Sequence, residues 1–154
     1  MPATVLETPA ALRDFVGKEV GVSDWLVVTQ ERIAVFAEAT GDRQWIHLDA
    51  QRASQESPYG ATIAHGFLTL SLLSEFLKTA IAVRSGTRLT VNYGLNRVRF
   101  PSPVRAGSRI RGRFTLLSWK EVADAQEAVF ACAVEAEGIE KPCCAAEWIL
   151  RYYK

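Results

Sequence analysis

Cysteine is scarce in this sequence, and its placement excludes two kinds of small-domain scaffold. There are three cysteines, Cys132, Cys143 and Cys144. Their number is odd and two of them are adjacent, so neither a disulfide framework nor a structural zinc site has the spacing it needs. Free thiols are typical of a reducing compartment, and the cytoplasm is therefore the expected location.

An excess of charge of either sign is also absent. Lysine and arginine number 18 against 17 aspartates and glutamates, which leaves a formal net charge of +1. A nearly neutral chain has no overall electrostatic attraction for nucleic acid or for an anionic membrane surface. Neither is expected as a partner.

Long uncharged apolar runs are missing as well. The N-terminus has no basic start followed by an apolar stretch, which argues against a secretory signal. The most apolar segment, residues 66–83, carries Glu75 and Lys78 in its middle, which predicts a buried core helix and not a membrane span. At 154 residues, 49% hydrophobic and 23% charged, the chain is expected to form one domain over residues 1–154.

The first half contains a series of helix start and stop signals. Capping residues, proline and glycine predict four elements: a short helix from Thr8 and Pro9 to Gly17, a strand over 18–28 with a break at Gly21, a helix from Thr29 to Gly41, and a helical piece over 49–55. Residues 42–48 are then expected on the loop that leaves the second helix.

The second half begins with one apolar helix and continues as strands. Residues 65–83 are apolar nearly all round, so other elements must surround this helix. The segments that follow alternate with the period of two typical of strands. The apolar positions have odd residue numbers up to Leu95 and even numbers from Val98 onward, and this change predicts a bulge near Asn96. Three or four long antiparallel strands around a central helix define an α+β fold.

Three motifs carry a family resemblance: ATGDRQWIHLD over 39–49, AHGFLTLSLLS over 64–74, and NYGLNRVRFPSPVRAGSRIRG over 92–112. In this order they resemble the MaoC-like hydratase/dehydratase family, and most closely its NodN-like branch of (R)-specific enoyl-CoA hydratases and 3-hydroxyacyl-thioester dehydratases. The resemblance extends from about Gly17 to Tyr152. It implies a single hotdog fold, in which an antiparallel sheet wraps around a long central helix. It also implies an acyl-thioester substrate, carried by coenzyme A or by an acyl carrier protein.

Asp42 and His47, five positions apart, are the candidate acid–base pair. A carboxylate and an imidazole on one loop can hold a single water molecule and move its protons, and the resemblance makes both residues catalytic. The structural alternative is that Asp42 caps the following turn and His47 is a packed core residue. Many members of the family have Asn-Pro where this chain has Gln44-Trp45, a departure that is expected to affect the wall of the site and the acyl specificity.

Gly66 lies at the start of the central helix, where unpaired N–H groups and a partial positive charge suit a developing oxyanion. The resemblance makes Gly66 the oxyanion donor and Ser74 a further catalytic residue, although Ser74 lies about 12 Å further along the helix axis. The alternative is a glycine tolerated for packing and a serine that bonds to its own helix. His65 is expected to be a structural neighbour of the site and not a catalyst.

Arginine is concentrated in and after the third motif, at Arg97, Arg99, Arg105, Arg109, Arg111 and Arg113. One interpretation is a cluster that attracts the phosphates of coenzyme A or an acidic carrier protein. The other is an exposed sheet face that pairs with acids of neighbouring strands, at Asp124, Glu127, Glu135 and Glu137. The substrate-binding residues expected from the resemblance are Gln44, Trp45, His65, Asn92, Gly94, Arg97 and Arg99.

The activity that the resemblance implies is reversible hydration of a trans-2-enoyl thioester to an (R)-3-hydroxyacyl thioester, without a metal or redox cofactor. A homodimer is expected, because a single sheet leaves an exposed edge that a second subunit can cover. Two alternatives stay open: a hotdog thioesterase that uses Glu75 of the central helix, and a non-catalytic module that binds acyl thioesters. A metal site made by Asp42, His47 and His65 lacks a fourth ligand at a familiar spacing.

Overall fold

The computed structural model of the chain describes residues 2–154. The strands in this range are β1 (Thr4–Leu6), β2 (Glu19–Val22), β3 (Leu26–Val27), β4 (Ile81–Val83), β5 (Leu89–Arg99), β6 (Arg109–Val122), β7 (Ala125–Ala136) and β8 (Cys144–Tyr153). The helices are a 3-10 helix (Pro9–Phe15), α1 (Gln30–Thr40), α2 (Trp45–Leu48), α3 (Ala50–Glu56), α4 (Gly66–Ser71) and α5 (Leu73–Ala80). Within these residues, no helix is long and apolar enough to cross a membrane.

Four long strands, β5 to β8, form the body of the molecule, where the sequence predicts three or four. The main sheet is antiparallel and has the strand order β2-β6-β7-β8-β5, with β3 also paired to β6. Strands β1 and β4 form a separate parallel pair. One face of the main sheet packs on α4 and α5. The predicted α+β plan of a sheet around a central helix is therefore confirmed.

The core lies between the central helical segment and the inner face of the sheet. Side chains alternate between the two faces of a strand, so every second residue is buried in β8 and in the first half of β6, up to Leu116. Phe76 of α5, Phe114 of β6 and Phe130 of β7 are almost completely buried, and the two sheet rings meet edge to face with centroids 6.1 Å apart. Burial of a side chain of this size stabilises the fold by about 1.5–3 kcal/mol.

The central helix is shorter than predicted, and it is interrupted. α4 ends at Ser71 and α5 begins at Leu73, while residues 81–83 form strand β4 instead of a last helical turn. The β-branched side chains of Ile81 and Val83 suit a strand, and β4 pairs in parallel with β1 near the N-terminus. The prediction of one helix through residue 83 is wrong because the partner strand lies far away in the sequence.

Three shorter predictions are also corrected. The first helix is a 3-10 helix, and Thr8 precedes it without a side-chain cap bond. The strand expected over 18–28 is divided into β2 and β3, and β2 has a register shift between Glu19 and Gly21. Residues 45–48 form the short helix α2, although the sequence predicts a loop there. His47 therefore lies on a helical turn.

Other local predictions are confirmed. Thr29 caps α1 by accepting a hydrogen bond from a backbone N–H of the first turn, and Gly41 ends the helix with a left-handed φ of 79°. A register shift between Asn96 and Arg99 places a bulge where the parity of the apolar positions changes, and Arg97 inside it has a φ of 54°. Capping and parity are local signals, which explains why the sequence predicts them correctly.

The outer face of β6 carries a ladder of ion pairs. The pairs are Arg109 with Glu137, Arg111 with Glu135, and Arg113 with both Glu135 and Glu19. Burial raises the pKa of the Glu135 carboxyl, but hydrogen bonds from Arg111 and Arg113 outweigh it and hold the pKa below its ordinary value. For these three arginines the structure therefore shows the second interpretation of the sequence, a sheet face on which arginines pair with acids of neighbouring segments.

Gly21 allows β2 to pass close to the end of the central helix. A Cβ atom at this position would lie 2.4 Å from the backbone oxygen of Ala80, which cannot rotate away. We expect Gly21→Ala to lower the free energy of unfolding by about 1–3 kcal/mol, the usual effect of overpacking, in urea denaturation. Gly94→Ala is the matched control, because the atom nearest to its added Cβ lies 3.9 Å away. Equal stability of the two variants would contradict this account.

Candidate active site

His47 is buried and is held from two sides. Its ring Nδ1 lies 2.7 Å from the backbone oxygen of Ile63, and its own backbone oxygen accepts a hydrogen bond of 2.7 Å from the Gln30 side chain. A carbonyl oxygen can only accept, so Nδ1 carries the proton. The other ring nitrogen, Nε2, therefore keeps a free lone pair and can accept a proton from a bound molecule.

Asp42 approaches this histidine from the end of α1. The left-handed conformation of Gly41 turns the chain after the helix, and the Asp42 carboxylate accepts a hydrogen bond of 3.3 Å from the backbone N–H of Gln44. A carboxylate oxygen of Asp42, a ring nitrogen of His47 and a ring nitrogen of His65 all lie within 4.8 Å of one another. Asp42 itself is exposed. The predicted acid and histidine thus lie together at the protein surface, with the histidine on the buried side.

His65 lies directly against the pair. It is 3% exposed, and its ring stacks on the His47 ring with centroids 3.8 Å apart and planes inclined by 23°. Its Nε2 lies 2.9 Å from the backbone oxygen of Asp42, so this nitrogen carries the proton. The sequence predicts His65 as a neighbour of the site, but it does not predict these contacts.

The three clustered residues are poorly arranged to share a metal ion. The lone pairs of an imidazole lie in the plane of its ring, and the planes of these two stacked rings are inclined by 23° with centroids 3.8 Å apart. A common zinc ion would need both nitrogens to converge on a point about 2.0–2.1 Å away. In addition, each ring already donates one N–H to a backbone carbonyl. The arrangement suits proton transfer better than coordination.

Gly66 is the first residue of α4, directly after His65, and the helix itself does not use its N–H group. The ring of Phe100 covers this glycine so closely that a Cβ atom would lie 3.0 Å from the ring. Gly66 and Phe100 line a cavity of about 320 Å³ that also includes Cys143. The absence of a side chain at residue 66 thus permits the Phe100 ring to pack closely against the backbone.

The other predicted residues lie apart from this cluster. Ser74 and Asn92 line two adjoining cavities of about 390 and 330 Å³ between the central helix and β5, and Gly94 lines the second of them. The indole of Trp148 lines both cavities. This groove runs along the helix and is lined largely by apolar side chains, as an acyl chain requires.

Four predicted substrate-binding residues have other surroundings. Gln44 and Arg99 are exposed, and Arg97 lines a cavity on the sheet with Arg113, on the side of the ion-pair ladder. The Trp45 ring lies 4.1 Å below the guanidinium of Arg52, a cation–π contact. A role for these residues in substrate binding stays a prediction.

Sequence reasoning missed two groups that hold the histidine. Gln30 links the His47 backbone to the hydroxyl of Thr62, which donates to the Gln30 side-chain oxygen. The carbonyl of Ile63 anchors the ring. The only sequence signal for Gln30 is its place beside the cap Thr29, and a backbone carbonyl has no sequence signal at all.

An antiparallel sheet around a central helix, with an acid–histidine pair beside the start of that helix, defines a hotdog-fold protein with a candidate proton-transfer site. The family model described as "MaoC like domain" matches residues 12–137. The chain belongs to the MaoC-like domain family, and the predicted family and fold are confirmed.

Individual proteins support the same assignment. The chain is 47% identical to "3-hydroxyacyl-thioester dehydratase Z" of Mycobacterium tuberculosis (strain ATCC 25618 / H37Rv) over 147 residues, which cover 95% of this chain and 96% of the relative. It is 46% identical to "Nodulation protein N" of Rhizobium leguminosarum bv. viciae, over 87% of this chain and 84% of that protein. Among solved structures, the unliganded R-hydratase PhaJ1 of Pseudomonas aeruginosa has the same fold, with a TM-score of 0.71 and 23% identity, over 90% of this chain and 82% of that chain.

The hydrogen bonds of the two histidines predict opposite tautomers. His47 carries its proton on Nδ1 and His65 on Nε2, because each of these atoms faces a backbone oxygen. The chain has only two histidines, so its imidazole ¹⁵N spectrum contains only two side chains, which a His47→Gln variant assigns. We expect one Nδ1–H and one Nε2–H pattern at a pH where both rings are neutral. Two residues with the Nε2–H pattern would contradict the anchoring of His47 by Ile63.

Proposed function

We propose that the protein catalyses the reversible hydration of trans-2-enoyl thioesters to (R)-3-hydroxyacyl thioesters, with Asp42 and His47 as the acid–base pair. The observation that carries the proposal is the buried His47 ring, which is held with Nε2 free and with the Asp42 carboxylate close by. The activity expected from the sequence, that of a hydro-lyase, is supported by the relative of 47% identity that is named a 3-hydroxyacyl-thioester dehydratase.

In the hydration direction, one water molecule donates hydrogen bonds to His47 and Asp42. As its oxygen forms a bond to C3, an O–H bond breaks and the proton passes to Nε2 of His47. The electrons of the C2–C3 double bond form a double bond between C2 and the carbonyl carbon, and the electrons of the carbonyl double bond move to the thioester oxygen, which gives an enolate. When C2 then receives a proton from the pair, the electrons return from the oxygen and the thioester carbonyl re-forms. General acid–base help of this kind accelerates a reaction by about 10²–10⁴-fold.

The negative charge on the thioester oxygen needs a donor, and we assign this role to the Gly66 N–H. The start of α4 follows His65 directly, so the donor and the acid–base pair are connected through one residue. Such a donor lowers the barrier by about 2.7–4 kcal/mol. With protons moved by side chains and charge held by the backbone, no step of this scheme calls for a metal or redox group. The groove beside Ser74 and Asn92 is the proposed place of the acyl chain.

The thioesterase alternative depends on Glu75, which lies in a different environment. Its carboxylate forms an exposed ion pair with Lys78 at 3.5 Å, one turn along α5. A solvated carboxylate that is paired at the surface is a weak candidate for the attack on a thioester. The surroundings of Glu75 therefore favour the hydratase over the thioesterase.

Single substitutions separate the hydratase from its alternatives. We expect Asp42→Asn and His47→Gln each to lower kcat/KM for hydration of crotonyl-CoA by about 10²–10⁴-fold, because each removes one partner of the water. The measurement is the loss of enoyl-thioester absorbance. Glu75→Gln is the control and should keep wild-type hydration.

Free-thiol release is followed in the same reactions. Release of coenzyme A by the wild type that Glu75→Gln abolishes would support the thioesterase instead. Binding of acyl-CoA without any turnover would support the non-catalytic module.

We propose further that the protein acts as a homodimer joined along β5. This strand is the last in the order of the main sheet, so one of its edges has no partner strand among the described residues. Apolar side chains are exposed there, among them Val91 at 40%, Tyr93 at 56% and Leu95 at 43%. An edge with such side chains is a ready template for pairing with a second copy.

The compartment proposed from the sequence is the cytoplasm. The three cysteines are free and buried, and burial raises the pKa of the Cys143 thiol to about 12. Such thiols stay protonated and unreactive, and the fold needs no oxidising surroundings.

A charge on β5 tests the dimer. Val91→Lys places a charge in the apolar edge strand that a second copy would cover, so we expect a monomer in light scattering coupled to size-exclusion chromatography. Leu117→Lys, on β6 at a similar exposure of 42%, is the matched control and should stay dimeric. A wild-type monomer at micromolar concentration, or an unchanged dimer for Val91→Lys, would contradict the proposal.

A further inference from the structure

His65 contacts both Asp42 and His47 and directly precedes α4. These contacts indicate a role beyond packing. We propose that His65 is a positioning residue for the reaction, which acts by holding the Asp42 backbone and the His47 ring in a fixed relation to Gly66. The inference rests on the proposed function, because it assumes that Asp42 and His47 are the acid–base pair.

The first contact is the hydrogen bond from His65 to Asp42. Nε2 of His65 donates to the Asp42 backbone oxygen over 2.9 Å and connects residues that are 23 positions apart. The other polar contacts of Asp42 are local and long: its N–H lies 3.4 Å from the Thr40 hydroxyl and its carboxylate 3.3 Å from the Gln44 N–H. An exposed loop residue with only such contacts would be mobile, so the bond from His65 is what locates Asp42.

The second contact is the ring stack. The His65 ring lies against His47 at 3.8 Å and against Phe36 of α1 at 5.0 Å between centroids. The face of the base is therefore packed against a flat, buried surface, while its edge is held by Ile63. Packing and hydrogen bond together restrict the His47 ring to one orientation.

The third link runs through the backbone. His65 is the cap residue of α4, and its carbonyl accepts the N–H groups of Leu68 and Thr69 at 3.1 and 3.2 Å. Its side chain and backbone thus connect Asp42, His47 and the first N–H of the helix. A displacement of about 1 Å between such groups can reduce a rate by about 10²-fold.

One unfavourable feature of His65 supports a functional role. Its Nδ1 is buried and has no hydrogen-bond partner among the described residues. An unpaired buried polar atom destabilises a fold, and an apolar ring would fill the same space without it. Two properties of histidine therefore matter at this position: the N–H at Nε2, which donates to Asp42, and the flat ring, which packs on His47.

Three replacements of His65 separate these properties. His65→Phe keeps a flat ring without the donor. His65→Gln carries an amide N–H near the place of Nε2, whereas the shorter His65→Asn carries the same group too far from the Asp42 oxygen. We expect kcat for crotonyl-CoA hydration to fall by about 10–10²-fold in the Phe and Asn variants with KM within about threefold, and Gln to recover about tenfold over Asn.

A double-mutant cycle with Asp42→Asn identifies the route of the effect. His65→Phe keeps the ring stack on His47 and removes only the donor to Asp42, so it should cause no further loss of kcat in the Asp42→Asn background. Thermal unfolding and circular dichroism confirm that each variant is folded, and if the Phe variant is not, the Asn and Gln pair decides the question alone.

Two kinds of result would overturn the inference without affecting the proposed function. One is wild-type kcat in His65→Phe and His65→Asn. The other is an equal fractional loss of kcat for His65→Phe in both backgrounds, which would indicate that the donor does not act through Asp42. An inactive wild type would instead contradict the proposed function itself.

Discussion

The hydrogen bond from the His47 ring to the Ile63 carbonyl is the interaction on which the site depends. It fixes which ring nitrogen is free, and together with the bond of 3.0 Å from the Ile63 N–H to the Ile46 oxygen it attaches α2 to the segment before α4. Together with the contacts of His65 to Asp42 and His47, it joins the proposed acid–base pair to the helix start that carries Gly66. A backbone carbonyl cannot donate, so this anchor also excludes the other tautomer of neutral His47.

The sheet supplies the rigidity behind this anchor. Strands β6 to β8 pack Phe114, Phe130 and Trp148 against the central helix, so the helix start cannot move independently of the sheet. Strand β5, at the end of the sheet, stands away from the helix and leaves the groove proposed for the acyl chain. The fold thus combines a dense core behind the proposed acid–base pair with a more open groove, which is the proposed place of the acyl chain.

The spacing of polar residues in the sequence does not reveal which of them stabilise the fold and which contact the proposed site. Arg109, Arg111 and Arg113 resemble a phosphate-binding cluster in sequence, yet they pair with acids in β2, in β7 and directly after β7 on the outer sheet face. His65 resembles a packing neighbour, yet it contacts both members of the proposed pair. The difference depends on which acids and carbonyls the folded chain places opposite each side chain.

The sequence by itself determined the elements that neighbouring residues control: the caps at Thr29 and Gly41, the bulge near Asn96, the long strands of the second half, and the spacing of Asp42 and His47. Only the tertiary structure decided the pairing of β4 with β1, the break of the central helix and the contacts of His65. The physical reason is that caps, turns and alternation depend on side chains a few positions apart, whereas the decisive long-range bonds end on backbone carbonyls. Every residue has such a carbonyl, so no sequence pattern distinguishes the one at Ile63.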